Sequence, residues 1–214
     1  MPRFIALLRA INVGGHNVKM TQLRTLFEQL EFSNVETFIA SGNVIFDAPS
    51  TKVPQLEQQI ERHLQTALGY AVATFIRSDA ELAAVAAYQP FAPAEMAAEG
   101  NSLYVAFLQA EPDHAAAQKL LTFRSEFDDF HVHEREFYWL SRARMSDSAF
   151  SGARLEKTLG LLATMRNITT IRKLAAKYPA RRTRRAKAAA LGHNARARGL
   201  KHCRNLTTPA AYTV

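Results

Sequence analysis

Hydrophobic positions along the chain follow two spacings, one typical of strands and one typical of amphipathic helices. Residues 4–11 form a short apolar run that predicts a strand, and the run is followed by Met20, Leu23, Phe27 and Leu30 at helical spacing. Residues 35–40 and 44–48 flank Ser41-Gly42-Asn43, which favours a hairpin with a tight turn. A helical pattern over residues 53–67 and an apolar run over residues 71–77 complete a unit of order βαββαβ.

The same order of elements returns in the second part of the chain. Ser78 and Glu81 predict a capping box for a connecting helix, and Pro90 and Pro93 begin a linker that reaches about residue 100. Beyond it the pattern predicts strands at residues 103–109, 130–134, 136–141 and 163–166, and helices at residues 112–123 and 148–159. The ends of the two units align when Arg77 is placed against Arg166 and Leu82 against Ile171.

This order predicts an α+β fold, a duplication of two ferredoxin-like βαββαβ subdomains. We assign residues 1–90 to the first subdomain and its connecting helix, and residues 101–178 to the second. Each subdomain is expected to be a sheet with helices on one face. The aromatic run Phe137-Tyr138-Trp139 is typical of core, whereas the acid pair Asp128-Asp129 is typical of a solvated loop.

The positive charge of the protein is concentrated at its C-terminus. Residues 1–180 hold 18 Lys and Arg against 19 Asp and Glu, whereas residues 181–214 hold 9 basic residues and no acid. We therefore predict a near-neutral folded body and a basic, flexible C-terminal tail. Through phosphate contacts this tail would bind nucleic acid, which is one hypothesis for function.

The remaining composition restricts the classes of protein to which the chain belongs. Cys203 is the single cysteine, so no disulfide forms within the chain and a reducing cytoplasm is the expected location. No signal-peptide core and no run of about 18 apolar residues is present, so we expect no membrane partner. No cofactor or metal motif is present either, and none is expected. The sequence does not fix the oligomeric state.

Candidate binding residues collect in the first subdomain. Its first βα loop carries paired glycines and several polar residues, whereas the matching loop of the second subdomain is only Ala110-Glu111-Pro112. Glycine allows a ligand to approach the backbone closely, and the N-terminus of the following helix offers free N–H groups that can bind an anion. The predicted ligand is small and anionic or phosphorylated, a nucleotide among the options, and the predicted ligand-binding residues are Arg9, Asn12, Gly14, Gly15, Lys19, Ser41, Gly42, Asn43, Arg166 and Asn167.

Each of these features also has a structural interpretation. The glycines fit ordinary turns, and Arg166 fits a structural arginine that pairs with a carboxylate between the halves. Thr169 or Thr170 is predicted to cap the helix after Arg166. An enzyme is the rival hypothesis, with His16 as proton shuttle, although no orienting partner for it is evident. His131 and His133 face one side of a strand, where two solvated or cross-strand histidines are favoured over a metal pair.

Three motifs together resemble a known bacterial family. They are the run Leu7-Leu8-Arg9-Ala10-Ile11-Asn12-Val13-Gly14-Gly15 with Met20 and Leu23, the run Ser41-Gly42-Asn43-Val44 with Phe46, and Thr164, Arg166, Asn167, Thr170, Lys173 and Leu174. In this order they resemble the family called domain of unknown function 1697, over residues 3–178. The resemblance implies two ferredoxin-like subdomains and no established activity, cofactor or catalytic residue. The chain departs from the family pattern at Ala10, where glycine is common, and at Ile168, where an aromatic residue is common.

Overall fold

The computed structural model describes residues 1–12, 15–49, 52–144 and 147–181. Its strands are β1 (Arg3–Leu8), β2 (Ser33–Phe38), β3 (Asn43–Asp47), β4 (Thr74–Ser78), β5 (Ser102–Leu108), β6 (Asp128–His133), β7 (Glu136–Ser141) and β8 (Ala163–Asn167). Its helices are α1 (Met20–Glu28), α2 (Val53–Leu68), α3 (Asp79–Ala87), α4 (Pro93–Ala97), α5 (His114–Leu121), α6 (Gly152–Leu159) and α7 (Ile168–Lys177).

Each half contains one four-stranded antiparallel sheet. The strand orders are β2-β3-β1-β4 and β6-β7-β5-β8, so the second half repeats the first. The register of the central strands supports the same equivalence, because Ile5 lies opposite Arg77 and Val105 lies opposite Arg166. The predicted α+β duplication of βαββαβ units is therefore confirmed.

Three hydrophobic cores hold these elements together within one compact unit, Met1–Ala180. The first core lies between one face of the first sheet and helices α1 and α2, and the third lies between one face of the second sheet and helices α5 and α6. The second core joins the other faces of both sheets with α3 and α7. Helices thus cover both faces of each sheet, which corrects the expectation of helices on one face, because the connecting helices pack in the shared core.

Several element boundaries differ from the predicted ones for local reasons. Strand β1 ends at Leu8 rather than Ile11, since Ala10 has a φ of 55° and turns the chain away from the sheet. Asn43 is the first residue of β3 and not part of the turn, which lies at residues 39–42. The predicted linker contains the short helix α4. The capping box of Ser78 and Glu81 is confirmed.

Two local predictions are wrong. Asp128 belongs to β6 and is buried, because its carboxylate accepts hydrogen bonds from Trp139 Nε1 and from the Ser148 hydroxyl. Asn167, and neither threonine, caps α7, since its Oδ1 accepts a hydrogen bond from the Thr169 N–H. The aromatic run at residues 137–139 is core, as predicted. The predicted tail, apart from Arg181, lies outside the described residues.

Candidate functional site

The loop after β1 and the β2–β3 turn meet at one end of the first sheet. Leu7, near the end of β1, pairs with Asn43 at the start of β3, so this strand order brings the two segments together. Asn12 joins them, because its Nδ2 donates to the Ala40 carbonyl at 3.3 Å and its Oδ1 accepts from the Val18 N–H at 2.7 Å. The order of elements along the sequence does not by itself require this proximity.

The glycines of these two segments have different roles. A Cβ atom on Gly42 would lie 2.7 Å from Ile11 Cγ2, and the residue has a φ of 70°, so packing and conformation both require glycine there. Gly15 has a φ of 91° and open space around it. Gly14, also predicted to bind ligand, lies outside the described residues. Lys19 is exposed and precedes α1 as its N-cap residue, with no side-chain capping hydrogen bond.

Arg166 reaches from β8 into this end of the first half. Its Nε donates to Asn43 Oδ1 at 2.9 Å, and its Nη2 donates to the carbonyls of Leu8 and Ser41, both at 2.8 Å. Its Nη1 donates to the Thr164 hydroxyl and to the Met165 carbonyl. We call Arg166 and these acceptors the Arg166 cluster. All five N–H groups of the guanidinium are bound to uncharged oxygens.

Arg77 makes the equivalent contacts in the opposite direction, from β4 into the second half. Its Nη2 donates to the carbonyls of Leu108 and Arg135, and its Nε donates to Glu136 Oε1 at 2.7 Å. We call Arg77 and these acceptors the Arg77 cluster. Glu136 lies opposite Phe107 in the register, as Asn43 lies opposite Leu7, so the two acceptors occupy equivalent positions.

The two clusters therefore differ in charge. The side chains of Arg77 and Glu136 are almost completely buried as an ion pair, whereas Arg166 forms no ion pair with any described carboxylate. Burial lowers the pKa of Arg166 to about 10. Burial also lowers the pKa of Arg77, but there the charge of Glu136 opposes the shift. The structural interpretation of Arg166 as an interface residue fits these contacts, although its partner is an amide and not a carboxylate.

Arg9 lies at a different part of the interface between the halves. Its Nε and Nη2 donate to the two carboxylate oxygens of Glu156, each at 2.9 Å. None of its side-chain contacts within the described residues is to the Arg166 cluster. The structure thus brings Asn12, Ser41, Asn43 and Arg166 together and places Arg9 elsewhere. Their role in binding a ligand stays a prediction.

The histidines have aromatic partners. The ring of His16 stacks on Tyr70 with 3.7 Å between centroids, and within the described chain no residue forms a hydrogen bond with its imidazole. His131 and His133 share one side of β6, as expected, and both contact Tyr88. Burial, with the charge of His133, lowers the pKa of His131. No cluster of three or more metal-ligating side chains occurs among the residues that the structure describes.

Sequence reasoning missed the residues that complete the interface. Glu136 and Glu156 were not selected, because a lone glutamate in a strand or helix carries no recognisable motif. The alignment of Arg77 with Arg166 could have indicated Glu136, because equivalent arginines are expected to have equivalent hydrogen-bond acceptors.

A cavity of about 120 Å³ adjoins the Arg77 cluster and is lined in part by Tyr138. The Tyr138 hydroxyl is buried and has no partner among the described residues, and burial raises its pKa.

Comparisons with known proteins identify the family and the fold. Residues 1–138 match the family described as "Protein of unknown function (DUF1697)", so the third motif of the resemblance lies outside the matched part. The structure is similar to that of conserved bacterial protein SP0830 from Streptococcus pneumoniae, with a TM-score of 0.64 and 19% identity over 82% of this chain and 97% of that one. No curated protein matches the sequence. Among the described helices none is long and apolar enough to cross a membrane. Because the family match spans more than half of the chain, this protein belongs to the DUF1697 family.

Proposed function

We propose that this protein binds a small anionic or phosphorylated ligand, such as a nucleotide, in the cytoplasm. The site is the surface formed by the described residues of the loop at residues 12–19, the turn at residues 39–42 and the Arg166 cluster. The observation that carries the proposal is the missing counter-charge of Arg166. The cytoplasmic location is supported by the single cysteine, which is typical of proteins in a reducing compartment.

A second position also carries a carboxylate in one half only. Glu81, in the first turn of α3, forms an ion pair with Arg135 at 2.8 Å, beside the Arg77 cluster. The equivalent position in α7 is Thr170, because Ser78 and Asn167 cap the two helices and each of these residues follows its cap by three. Both carboxylates near Arg77 thus have uncharged replacements near Arg166. An anion bound there would supply the negative charge that Glu136 supplies to Arg77 in the other half, where Glu81 is paired with Arg135.

The ligand would not take its hydrogen bonds from Arg166, whose N–H groups are all in use. The exposed Lys19 ammonium, the Ser41 hydroxyl and the Gly15 N–H are the donors that the neighbouring segments offer. Arg166 would act through its charge, since a cation in a half-buried site favours a nearby anion more strongly than one in water. Arg166→Ala is a poor test, because it removes the three hydrogen bonds by which Arg166 joins the halves, those to Asn43, Leu8 and Ser41.

A better test adds the missing carboxylate. Thr170→Glu recreates next to Asn167 the pairing of Ser78 with Glu81, and Thr170→Gln is its matched control, because glutamine also fits a capping box but is uncharged. The measurement is the thermal shift of each full-length protein with pyrophosphate or ATP. Saturating ligand should stabilise the wild type and Thr170→Gln, by about 2.7 kcal/mol at a hundredfold excess over Kd. Thr170→Glu should lose most of this effect.

All three proteins carry the same basic tail, so a difference between the two variants reports on the site. Lys19→Ala should also weaken binding, by about 1.5–3 kcal/mol for a lost charged hydrogen bond, without lowering stability in the absence of ligand. Equal ligand effects in the Glu and Gln variants would contradict the proposal. They would show that the anion binds elsewhere on the protein.

A further inference from the structure

A cavity of about 200 Å³ lies along the outer edge of β8. Strand β8 is an edge strand, so one row of its backbone groups has no neighbouring strand. We call this space the edge cavity. Its lining residues are Arg9, Gly152, Ala153, Leu155, Glu156, Ala163 and Met165.

The equivalent edge of the first half, β4, is covered by two glutamates from α2. Glu61 Oε1 accepts a hydrogen bond from the Thr74 N–H, and Glu57 Oε1 accepts one from the Ile76 N–H, each at 2.8 Å. The two glutamates are four residues apart and so lie on one face of the helix. Two successive outward N–H groups of the edge strand are therefore each bound by a carboxylate.

The second half retains one of these two carboxylates. Glu156 Oε1 accepts a hydrogen bond from the Ala163 N–H at 2.9 Å, as Glu61 does from Thr74. One helical turn earlier, where α2 has Glu57, α6 has Gly152. A Cβ atom on Gly152 would meet nothing within 4 Å, so the space that a side chain would fill is open.

The backbone of β8 keeps the donor that this space faces. Met165 lies opposite Ala106 as Ile76 lies opposite Ala6, and strand alternation directs its N–H outward like that of Ala163. No side chain in the described part of the chain accepts a hydrogen bond from it. The Met165 N–H therefore corresponds to the Ile76 N–H without its carboxylate.

The charge and shape of the edge cavity indicate the class of ligand. Glu156 is neutralised by Arg9, and no described residue accepts from the Nη1 group of Arg9, so this group remains a donor beside the cavity. Leu155 and the alanines make the rest of the wall apolar. At roughly 30 Å³ per water, a volume of 200 Å³ holds a molecule of about six non-hydrogen atoms.

We propose that the edge cavity binds a short aliphatic carboxylate, whose oxygens take the place that Glu57 Oε1 occupies in the first half. The carboxylate accepts from the Met165 N–H and from Arg9 Nη1, while its alkyl chain contacts Leu155 and Ala153. This site does not depend on the proposed function, since it shares no side chain with the Arg166 cluster.

Butyrate is a suitable probe, because it has six non-hydrogen atoms, and butyramide is its uncharged analogue. We would titrate each into the full-length protein and follow the Met165 amide by nitrogen–proton correlation NMR. Butyrate should shift this resonance in a saturable manner, and butyramide should bind at least tenfold more weakly. If butyrate leaves the Met165 resonance unchanged, the proposal is overturned.

Two variants of Gly152 separate this site from others. Gly152→Glu supplies the carboxylate that Glu57 supplies in the first half, so it should raise Tm, shift the Met165 amide without ligand and abolish butyrate binding. Gly152→Ala adds only a methyl group in open space and should retain binding. Thr170→Glu should also retain it, which distinguishes the edge cavity from the Arg166 site. Butyrate binding that persists in Gly152→Glu would overturn the proposal.

Discussion

The two halves of this protein present the same arginine in two electrostatic settings. Arg77 and Arg166 occupy equivalent positions and each crosses to the other half. There each donates to one backbone carbonyl of the hairpin turn and to one at the end of the central strand. Arg77 meets the carboxylate of Glu136, whereas Arg166 meets the amide of Asn43. The hydrogen-bond geometry is thus repeated while the charge is not. The comparison separates two requirements. The interface needs a guanidinium that forms hydrogen bonds to both halves, whereas a ligand site would need a charge that no carboxylate compensates.

The edge strands repeat this difference. Glu57 and Glu61 cover β4, whereas Glu156 alone, with Gly152 one turn earlier, faces β8. Together with Asn43 and Thr170, Gly152 is a third position at which the structure has no carboxylate where its counterpart has one. A duplicated fold therefore offers an internal reference, because one half shows which group would satisfy the donors of the other.

The largest expected effect comes from removing the charge of Glu136. Glu136→Gln keeps a side chain of the same shape but leaves Arg77 as a buried cation without a counter-charge, like Arg166. We expect a loss of about 3 kcal/mol in the free energy of unfolding, as for other buried pairs that lose one partner. Chemical denaturation at neutral pH measures it.

Glu28→Gln is the control for this prediction. It removes the exposed pair with Arg24 on α1, for which a loss below about 0.5 kcal/mol is expected. A neutral hydrogen bond contributes about 1 kcal/mol to stability. A loss smaller than this for Glu136→Gln would mean that the Arg77 cluster does not need its carboxylate. The comparison with Arg166 would then have no energetic meaning.

A smaller effect is expected for Glu81→Thr, which gives α3 the residue that α7 has at the equivalent position. The change removes a capping box and a partly exposed ion pair with Arg135, so we expect a loss of about 1–2 kcal/mol at pH 7. Thermal and urea unfolding of the variant and the wild type provide the measurement.

The pH dependence of this loss supplies an independent check. Burial alone would raise the pKa of Glu81, but hydrogen bonds from Ser78 and the charge of Arg135 outweigh it, so the pKa lies below its usual value. The stabilisation is therefore complete above the unfolded pKa and is lost as pH falls through the folded one. The difference between variant and wild type should shrink as the pH falls below the ordinary glutamate pKa of about 4.3. A difference that stays constant down to about pH 3 would rule out a role for the charge.

The smallest effect concerns the loops that follow β1 and β5. Ala10 has a φ of 55°, a backbone conformation that costs alanine about 1–2 kcal/mol. Glycine avoids this cost, but it loses about 0.4–1 kcal/mol of stability because it raises the conformational entropy of the unfolded chain. Ala10→Gly should therefore stabilise the protein by about 0.5–1 kcal/mol. The matched change Ala110→Gly, at a residue without positive φ, should destabilise it slightly. If both changes have the same sign, the strain at Ala10 does not affect stability.

Much of the fold could be predicted because its determinants are local. Helix α2 begins at Val53 as the spacing of its apolar residues predicts, and β7 matches the predicted residues 136–141. Boundaries failed where a single backbone conformation decides them, as at Ala10. Asp128 was misplaced because its partners, Trp139 and Ser148, are distant in sequence. The candidate site was predicted in part, since Asn12, Ser41 and Arg166 were selected but their acceptors were not.

The sequence by itself determined the order of elements, the duplication and the near-neutral charge of residues 1–180, because periodicity and composition are properties of the chain alone. The tertiary structure decided which groups meet across the two halves. Arg166 meets Asn43 over a separation of 123 residues, and Arg9 meets Glu156 over 147. Such pairs leave no periodic trace, since each needs one side chain at one place. The lack of a carboxylate beside Arg166 and beside Met165 becomes visible only when the two folded halves are compared.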